Sequence, residues 1–296
     1  MLLKVENLRI AFKLGGGRLS VPVRDVSLEI RERARVALVG ESGCGKSLTA
    51  LAIGGLVDRA EITGGIERGN AKIAYIFQNP MQSLNPTIRC GKQIAEGMGV
   101  NLKSKSANGK AQIINLLSSV GLPPDTARKY PCELSGGQQQ RVMIAMALAQ
   151  EPDLLIADEP TTALDVTTQR EVLDLIRRLA DERGMGVLFI THNLGLVAAY
   201  SDEINVMYAG EIVESGKVPQ VLSNPRHPYT KGLLAAVPSL DAPRDAPLVG
   251  IPGTVPQPTA WPVGCAFHPR CPVARPECSL PSFTVCPEMA TAQSAT

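Results

Sequence analysis

Residues 40–47 have the types and the spacing needed to bind phosphate groups. Their sequence, Gly-Glu-Ser-Gly-Cys-Gly-Lys-Ser, fits the pattern G-x-x-x-x-G-K-[ST] and lies between an apolar run (36–39) and a helix-like run (47–53). Backbone N–H groups of such a loop, together with a helix N-terminus, favour phosphate oxygens. We expect Lys46 to contact the β- and γ-phosphates and Ser47 to bind Mg²⁺. The residues predicted to contact the nucleotide here are Gly40, Glu41, Ser42, Gly43, Cys44, Gly45, Lys46, Ser47 and Leu48.

A second set of candidate residues follows an apolar strand. The run Leu154–Ala157 ends in two carboxylates, Asp158 and Glu159. Strand ends of α/β sheets lie at the ligand crevice, so we expect Asp158 to hold Mg²⁺ together with Ser47. Glu159 is expected to activate the water that attacks the γ-phosphate. Taken alone, the pair also fits a solvated junction between strand and loop; its position downstream of the phosphate loop favours the catalytic interpretation.

Length, charge and hydropathy narrow the class of protein. With 296 residues, the chain has enough material for one large domain or two smaller ones. Its net charge of +2 and aromatic content of 4% do not favour nucleic-acid binding or base stacking. The longest apolar run, Val142–Ala149, is much shorter than the roughly 18–20 residues of a membrane span. Residues 1–7 do not form a secretory signal. We therefore expect a cytosolic chain without nucleic-acid partners.

Strand and helix patterns alternate along most of the chain, which predicts an α/β sheet. Residues 79–150 are mainly helical in pattern, with a polar break near 103–110, and form a helical insert in this sheet. Helices are also predicted at 47–53 and 167–183. The predicted strands are Leu3–Phe12, Val23–Ile30, Val36–Val39, Lys72–Phe77, Leu154–Ala157, Val187–Thr191 and Glu203–Tyr208.

The last part of the chain differs in composition from the rest. Twelve of the 23 prolines lie between Pro238 and Pro287, a density that prevents long helices and central strands. This predicts either a disordered tail or a small module held by cross-links. Four cysteines cluster here, and because a reducing compartment disfavours disulfides, a metal site is expected first. They are Cys265, Cys271, Cys278 and Cys286.

A glycine-containing segment lies between the phosphate loop and the two carboxylates, and it points to a family. Leu134-Ser135-Gly136-Gly137-Gln138 resembles the signature of ABC-type ATPase subunits, and small residues at a helix N-terminus suit a second phosphate-facing nest. In that family the signature faces the γ-phosphate bound to the opposite subunit. The resemblance therefore implies that Ser135, Gly136, Gly137 and Gln138 act on a partner's nucleotide.

Further positions match the same family one by one. Gln78 lies where the family has a glutamine that senses Mg²⁺ and the transmembrane partner, and Ala163–Asp165 resembles its interface loop. His192 matches the histidine that contacts the γ-phosphate, followed here by Asn193 where the family commonly has Asp. Phe12 resembles the aromatic residue that stacks on adenine, although a strand core position is the alternative. The resemblance extends over residues 2–236.

Other segments resemble the oligopeptide and dipeptide importers within this family. They are Gln78–Pro86, His227–Leu234, Ile251–Pro256 and Gly264–Pro272. The late cysteines have the spacing C-x5-C-x6-C-x7-C, without the C-x2-C pairs of zinc ribbons. The related importers suggest a [4Fe–4S] cluster on these cysteines. Zinc and unliganded thiols remain alternatives, and His268 could substitute for one ligand.

The resemblance implies a P-loop NTPase core with an antiparallel β-subdomain and a helical subdomain, followed by a small Pro/Cys-rich module. We predict a nucleotide-binding domain at 1–236, with its helical subdomain at about 79–150, and a C-terminal extension at 237–296. The implied activity is ATP hydrolysis that powers import of peptides or similar small solutes. Nickel, metal-chelate or opine-type solutes are the alternative cargo, and a soluble non-transport ABC ATPase is a more distant one.

The same resemblance implies an assembly. The cofactors are ATP, Mg²⁺ and the iron–sulfur cluster. The expected partners are a second, related ATPase subunit in a heterodimer, two transmembrane permease subunits and an extracytoplasmic solute-binding protein. The chain is then expected at the cytoplasmic side of the inner membrane as a peripheral subunit.

Overall fold

The computed structural model describes residues 1–99, 107–162, 164–237, 250–283, 286 and 289. Three sequence predictions fall wholly or partly outside these residues: the polar break at 103–110, Ala163 of the interface-loop match, and the proline-rich stretch at 238–249.

The predicted strands and helices all correspond to observed elements, while two strands (β4, β9) and three helices (α7, α8, α9) were not predicted. The strands are β1 Leu3–Lys13, β2 Leu19–Ile30, β3 Arg35–Val39, β4 Glu61–Glu67, β5 Ile73–Ile76, β6 Leu154–Asp158, β7 Gly186–Thr191, β8 Glu203–Tyr208 and β9 Glu211–Lys217. The helices are α1 Lys46–Ile53, α2 Pro80–Ser83, α3 Cys90–Gly97, α4 Ala107–Ser119, α5 Gly136–Leu148, α6 Val166–Arg183, α7 Leu194–Tyr200, α8 Val218–Ser223 and α9 Pro228–Ala235. Within the described residues, no helix is long and apolar enough to cross a membrane.

The chain divides into two compact units. The first, here the helical unit, consists of Met1–Leu3, Ile30–Arg35 and Arg68–Phe189. The second, here the strand-rich unit, consists of Lys4–Glu29, Val36–Glu67 and Ile190–Thr296.

The strand-rich unit orders its strands β4-β1-β2-β9-β8-β3. β1 pairs with β4, and β8 with β9, in antiparallel register, whereas β3 and β8 are parallel. The turn between β8 and β9 places Ala209 and Gly210 at positive φ (50° and 83°), which suits a tight hairpin. Parallel strands buried on both faces need apolar residues, and β3 accordingly buries Val36–Val39.

The C-terminal segment (residues 250–283) belongs to the core of the strand-rich unit. It contains two short 3₁₀ turns, His268–Arg270 and Pro276–Ser279. Phe267 is buried in the same apolar cluster as the residues of β3 and β8. The indole N–H of Trp261 donates to the backbone oxygen of Val21 in β2 at 2.8 Å. The segment is too rich in proline for long helices. It is ordered by burial of the Phe267 ring and by hydrogen bonds such as that of Trp261.

The helical unit orders its strands β7-β6-β5, with β5 and β6 parallel so that Ile73 lies opposite Leu154. Helices α3, α4 and α5 pack on one another and bury Ile94, Leu117 and Ile144 completely. Because β5 and β6 are parallel, their carboxyl ends lie at one edge of the sheet, where ligands bind in open α/β sheets.

Candidate functional site

The phosphate-loop candidate lies in the strand-rich unit, between the end of β3 and the start of α1. Lys46 is only 5% exposed, and its Nζ donates to the backbone oxygens of Gly40 at 2.8 Å and Glu41 at 3.0 Å. Ser42, Gly43 and Ser47 are exposed on the same loop. The ammonium group is thus held by carbonyls of its own loop, which phosphate oxygens can replace as acceptors.

The loop backbone is fixed by neighbours that the sequence argument did not identify. The N–H of Glu41 donates to the hydroxyl of Tyr229 at 2.8 Å, and the oxygen of Cys44 accepts from Gly210 N–H at 3.0 Å. Gly45 has φ +108°, and a Cβ there would lie 2.7 Å from the backbone oxygen of Pro22, so glycine is required. Burial raises the pKa of the Cys44 thiol, against the opposing charge of Lys46, so the thiol is neutral at physiological pH.

The second candidate group lies at the ends of β5 and β6 in the helical unit. Gln78 Nε2 donates to Glu159 Oε2 at 2.9 Å, and the hydroxyl of Thr162 donates to the same oxygen at 2.8 Å. Glu159 adopts φ +43°, a strained value for a residue other than glycine. The structure therefore brings Gln78 and Glu159 together, and Thr162 is a contact that the sequence motifs did not supply.

Asp158 has a partner that the sequence analysis missed. It is 5% exposed, and the hydroxyl of Tyr75 donates to its Oδ2 at 2.7 Å. Burial and the charge of Asp158 raise the pKa of Tyr75, so its hydroxyl remains a donor at neutral pH. Tyr75 lies within the predicted strand 72–77, and the parallel pairing of Tyr75 with Ile156 brings it near Asp158. Its position two residues before the end of an apolar strand was the only available signal.

The signature candidate forms the N-terminus of α5, also in the helical unit. Ser135 is the N-cap: its hydroxyl accepts from Gln138 N–H at 3.3 Å, and Gln138 Oε1 accepts from Ser135 N–H at 3.0 Å. This reciprocal capping box satisfies N–H groups that a helix start leaves unpaired. Ser135, Gly136 and Gln138 are exposed. A Cβ at Gly137 would lie 2.8 Å from the Thr168 methyl group of α6, so this close approach requires glycine.

The remaining family matches occupy separate places. His192 is exposed just after β7, and Asn193 caps α7 by accepting from Gly195 N–H at 2.9 Å. Phe12 is partly buried in β1. Asp165 caps α6 by accepting from Thr168 N–H at 3.0 Å. The roles assigned to these residues from the sequence stay predictions.

The four late cysteines converge within the strand-rich unit. Together with His268 they line one small pocket. Burial raises the pKa of Cys265, and the neighbouring Cys286 and Cys278 add to the rise. Among the described residues, no three His, Cys, Asp or Glu side chains are arranged to hold a metal ion. The cysteines, then, are gathered without forming a single-ion centre, and the iron–sulfur cluster stays a prediction. They are Cys265, Cys271, Cys278 and Cys286.

Comparison with family models supports the motif assignment. The model of the ABC transporter family matches residues 23–162, and the model of the oligopeptide/dipeptide transporter C-terminal region matches residues 213–278. A relative from Brucella abortus (strain 2308) named "Putative peptide import ATP-binding protein" is 43% identical, over 95% of this chain and 90% of its own. A relative of the same name from Brucella ovis is 45% identical, over 94% and 91%.

Solved structures confirm the predicted ABC ATPase core, while the Pro/Cys-rich C-terminal module stays a prediction. The dimeric ATP-binding cassette MJ0796 in a post-hydrolysis state with ADP and Pi is 28% identical, with a TM-score of 0.61 over 73% of this chain and 98% of that one. The cbiO1 protein of Clostridium perfringens, part of an ABC transporter complex, is 26% identical, with a TM-score of 0.65 over 75% and 91%. The chain belongs to the ABC transporter ATPases, in the group that carries the oligopeptide/dipeptide transporter C-terminal region.

Proposed function

We propose that this chain hydrolyses ATP to power the import of peptides or similar small solutes through a membrane ABC transporter. The observation that carries the catalytic part is the carboxylate of Glu159, held by the neutral donors of Gln78 and Thr162 beside the buried Asp158. The peptide part is supported by the C-terminal region at 213–278 and by relatives named for peptide import.

Three residues have the donor chemistry that we propose for a magnesium ion. Ser47, Gln78 and Asp158 offer a hydroxyl, an amide oxygen and a carboxylate, which are oxygen ligands of the kind Mg²⁺ prefers. When bound, the ion neutralises charge on the β- and γ-phosphates. Lys46 exchanges its two loop carbonyls for phosphate oxygens and adds a positive charge. We assign the magnesium role to these three residues as part of the proposal.

Hydrolysis then needs a base and a positioned water. Glu159 accepts a proton from water as the water oxygen bonds to the γ-phosphorus, and the bond from that phosphorus to the β,γ-bridging oxygen breaks to release ADP. The amide of Gln78 and the hydroxyl of Thr162 orient the carboxylate through two hydrogen bonds. His192 contacts the γ-phosphate, and Phe12 stacks on adenine. The remaining nucleotide contacts come from Gly40–Leu48.

The exposed signature residues Ser135–Gln138 cap the nucleotide of a second ATPase subunit, which we propose to be a related chain. Dimeric MJ0796, a structural neighbour, supports the pairing. Two permease subunits and an extracytoplasmic binding protein complete the assembly, with this chain peripheral at the cytoplasmic face of the inner membrane. We further propose residues 1–236 as the nucleotide-binding domain and 237–296 as the extension.

We propose that the four late cysteines hold a [4Fe–4S] cluster. The shared position of these cysteines around one pocket supports this, and a cluster binds its thiolates on separate iron atoms rather than on one ion. Iron and acid-labile sulfide are measured after anaerobic purification of the whole chain, with Cys278→Ser as the variant and Cys132→Ser, an exposed cysteine outside the group, as the control. About four iron and four sulfide per chain, lost only in Cys278→Ser, are expected; zinc without sulfide would contradict the cluster.

A second cargo class has an observation in its favour. One structural neighbour, 27% identical with a TM-score of 0.62, is titled an inward-facing conformation of a "putative metal-chelate type ABC transporter". The decisive experiment reconstitutes the chain with its partner ATPase, permeases and binding protein in liposomes. We expect short peptides to stimulate ATP hydrolysis and nickel chelates to leave it unchanged. Stimulation by chelates alone would overturn peptide import.

A further inference from the structure

One ion pair links the phosphate loop to the C-terminal segment. The guanidinium of Arg270 contacts the carboxylate of Glu41 through two bonds, Nη1 to Oε2 at 2.6 Å and Nη2 to Oε1 at 3.0 Å. The side chains are 6% and 27% exposed. Such a forked, charge-assisted pair fixes both direction and distance. The two residues are 229 positions apart in the sequence.

The guanidinium of Arg270 donates three hydrogen bonds in addition to those to Glu41. Its Nε donates to Pro252 O at 2.8 Å, its Nη2 to Ile251 O at 3.3 Å, and its Nη1 to the Tyr208 hydroxyl at 3.4 Å. Arg270 also lies over the Tyr208 ring at 5.8 Å. The hydrogen bond to Glu41, followed by the one to Tyr208, raises the pKa of Arg270 further, so the guanidinium stays charged.

Glu41 passes this constraint to the residue that binds phosphate. Its side chain contacts Arg270, its N–H donates to Tyr229, and its backbone oxygen accepts from Lys46 Nζ at 3.0 Å. The C-terminal segment therefore touches the loop at the residue that also holds the loop lysine. The next residue after Arg270 is Cys271, which lines the cysteine-lined space.

We propose that Arg270 is a positioning residue for the phosphate loop: through Glu41 it fixes the loop backbone from which Lys46 reaches the nucleotide. This inference rests on ATP binding by the loop, as proposed above. It makes the C-terminal segment part of the nucleotide site's support. Arg270 itself contacts no phosphate in this role, so its loss lowers ATP affinity more than the rate at saturating ATP.

The test is a double-mutant cycle on the whole chain, with ATP binding measured by titration without hydrolysis. Arg270→Gln and Glu41→Gln are each expected to raise the Kd for ATP about tenfold, and the double variant no further, because each single change already breaks the pair. Arg270→Lys keeps the charge but not the fork, and about a threefold rise is expected. Glu277→Gln, an exposed carboxylate of the same segment, is the matched control and leaves Kd unchanged.

The emission of Trp261 distinguishes a loss of ATP affinity from a loss of structure in the C-terminal segment. Trp261 is the single tryptophan of the chain, and its indole N–H donates to Val21 of β2. Its emission should stay that of the wild type in Glu41→Gln, a change made in the loop and not in the segment. Wild-type Kd in Glu41→Gln, or fully additive losses in the cycle, would overturn the inference. Failure of the wild-type chain to bind ATP would instead overturn the proposed function.

Discussion

Glu41 and Glu159 are two carboxylates, one in each unit, whose hydrogen-bond partners differ. Glu41, in the strand-rich unit, is paired with the buried guanidinium of Arg270. Glu159, in the helical unit, is held by the neutral amide of Gln78 and the hydroxyl of Thr162. The two oxygens of Glu41 are both engaged by the guanidinium, whereas one oxygen of Glu159 accepts from both neutral donors. We therefore assign a structural role to Glu41 and propose Glu159 as the base.

The largest expected effect separates these two roles directly. Glu159→Gln is expected to lower kcat by about 10³-fold, because the amide cannot accept the proton of the attacking water. ATP affinity should remain within about twofold, since the side chain acts only in the transition state. Phosphate release by the assembled complex gives kcat, and nucleotide titration gives affinity. Glu41→Gln should show the reverse pattern, with the loss in affinity, and ordinary turnover by Glu159→Gln would remove Glu159 from catalysis.

The surroundings of Glu159 could be predicted from the sequence better than those of Glu41. Gln78 and Glu159 follow neighbouring parallel strands, and the carboxyl ends of parallel strands share one edge, so their closeness follows from local pattern. The contacts of Thr162 and Tyr75 with the two carboxylates could not be predicted, because they depend on the turn after β6 and on the register between β5 and β6. The pair of Glu41 with Arg270 spans most of the chain and depends on how a proline-rich segment packs, which no periodicity encodes.

The fold shows the same division between local pattern and packing. Apolar runs such as Leu154–Ala157 predicted their strands because burial on both faces leaves a continuous signal. β4 was missed because Thr-Gly-Gly at 63–65 interrupts its apolar pattern. β9 was missed because Glu and Gly interrupt its apolar residues. The C-terminal segment was left open between a tail and a module, since its order comes from Phe267 and a few polar anchors.

The second expected effect is a pH dependence of folding stability that arises in the strand-rich unit, the unit of Glu41. His227 is 3% exposed, accepts from Tyr229 N–H at 3.1 Å, and donates its own backbone N–H to Glu214 at 3.0 Å. Burial, with the charge of Lys231, lowers the pKa of His227 from 6.5 to about 4. The unfolded chain therefore binds the proton first, so this stabilisation is full above about pH 6.5 and is lost as the pH falls toward 4.

That loss amounts to at most about 3 kcal/mol from the size of the pKa shift. Urea titrations followed by Trp261 emission, at several pH values between 7 and 4, measure it. His227→Gln keeps an acceptor but no titrating ring, so its stability should vary less with pH over this range. Equal pH dependence in the two proteins would show that other groups carry the acid sensitivity.

The third effect tests the neutral donors of Glu159. Thr162→Val removes the hydroxyl that donates to Glu159 at 2.8 Å while keeping the branched shape. We expect kcat to fall about tenfold, the lower end of the effect of losing one hydrogen bond to a charged group, with ATP affinity unchanged. Thr162→Ser retains the hydroxyl and is the matched control. A loss of affinity instead of rate would mean that Thr162 supports the nucleotide and not the base.

The smallest expected effect concerns Asp158, the carboxylate next to the base. Tyr75→Phe removes its donor at 2.7 Å with little change in volume, so the carboxylate is less well oriented toward magnesium. Half-saturation of ATP hydrolysis by Mg²⁺ should rise about threefold, the effect of a modest hydrogen bond. Tyr75→Trp, which also removes the hydroxyl, should raise the half-saturation at least as much. An unchanged half-saturation in Tyr75→Phe would show that the Tyr75 hydroxyl does not orient Asp158.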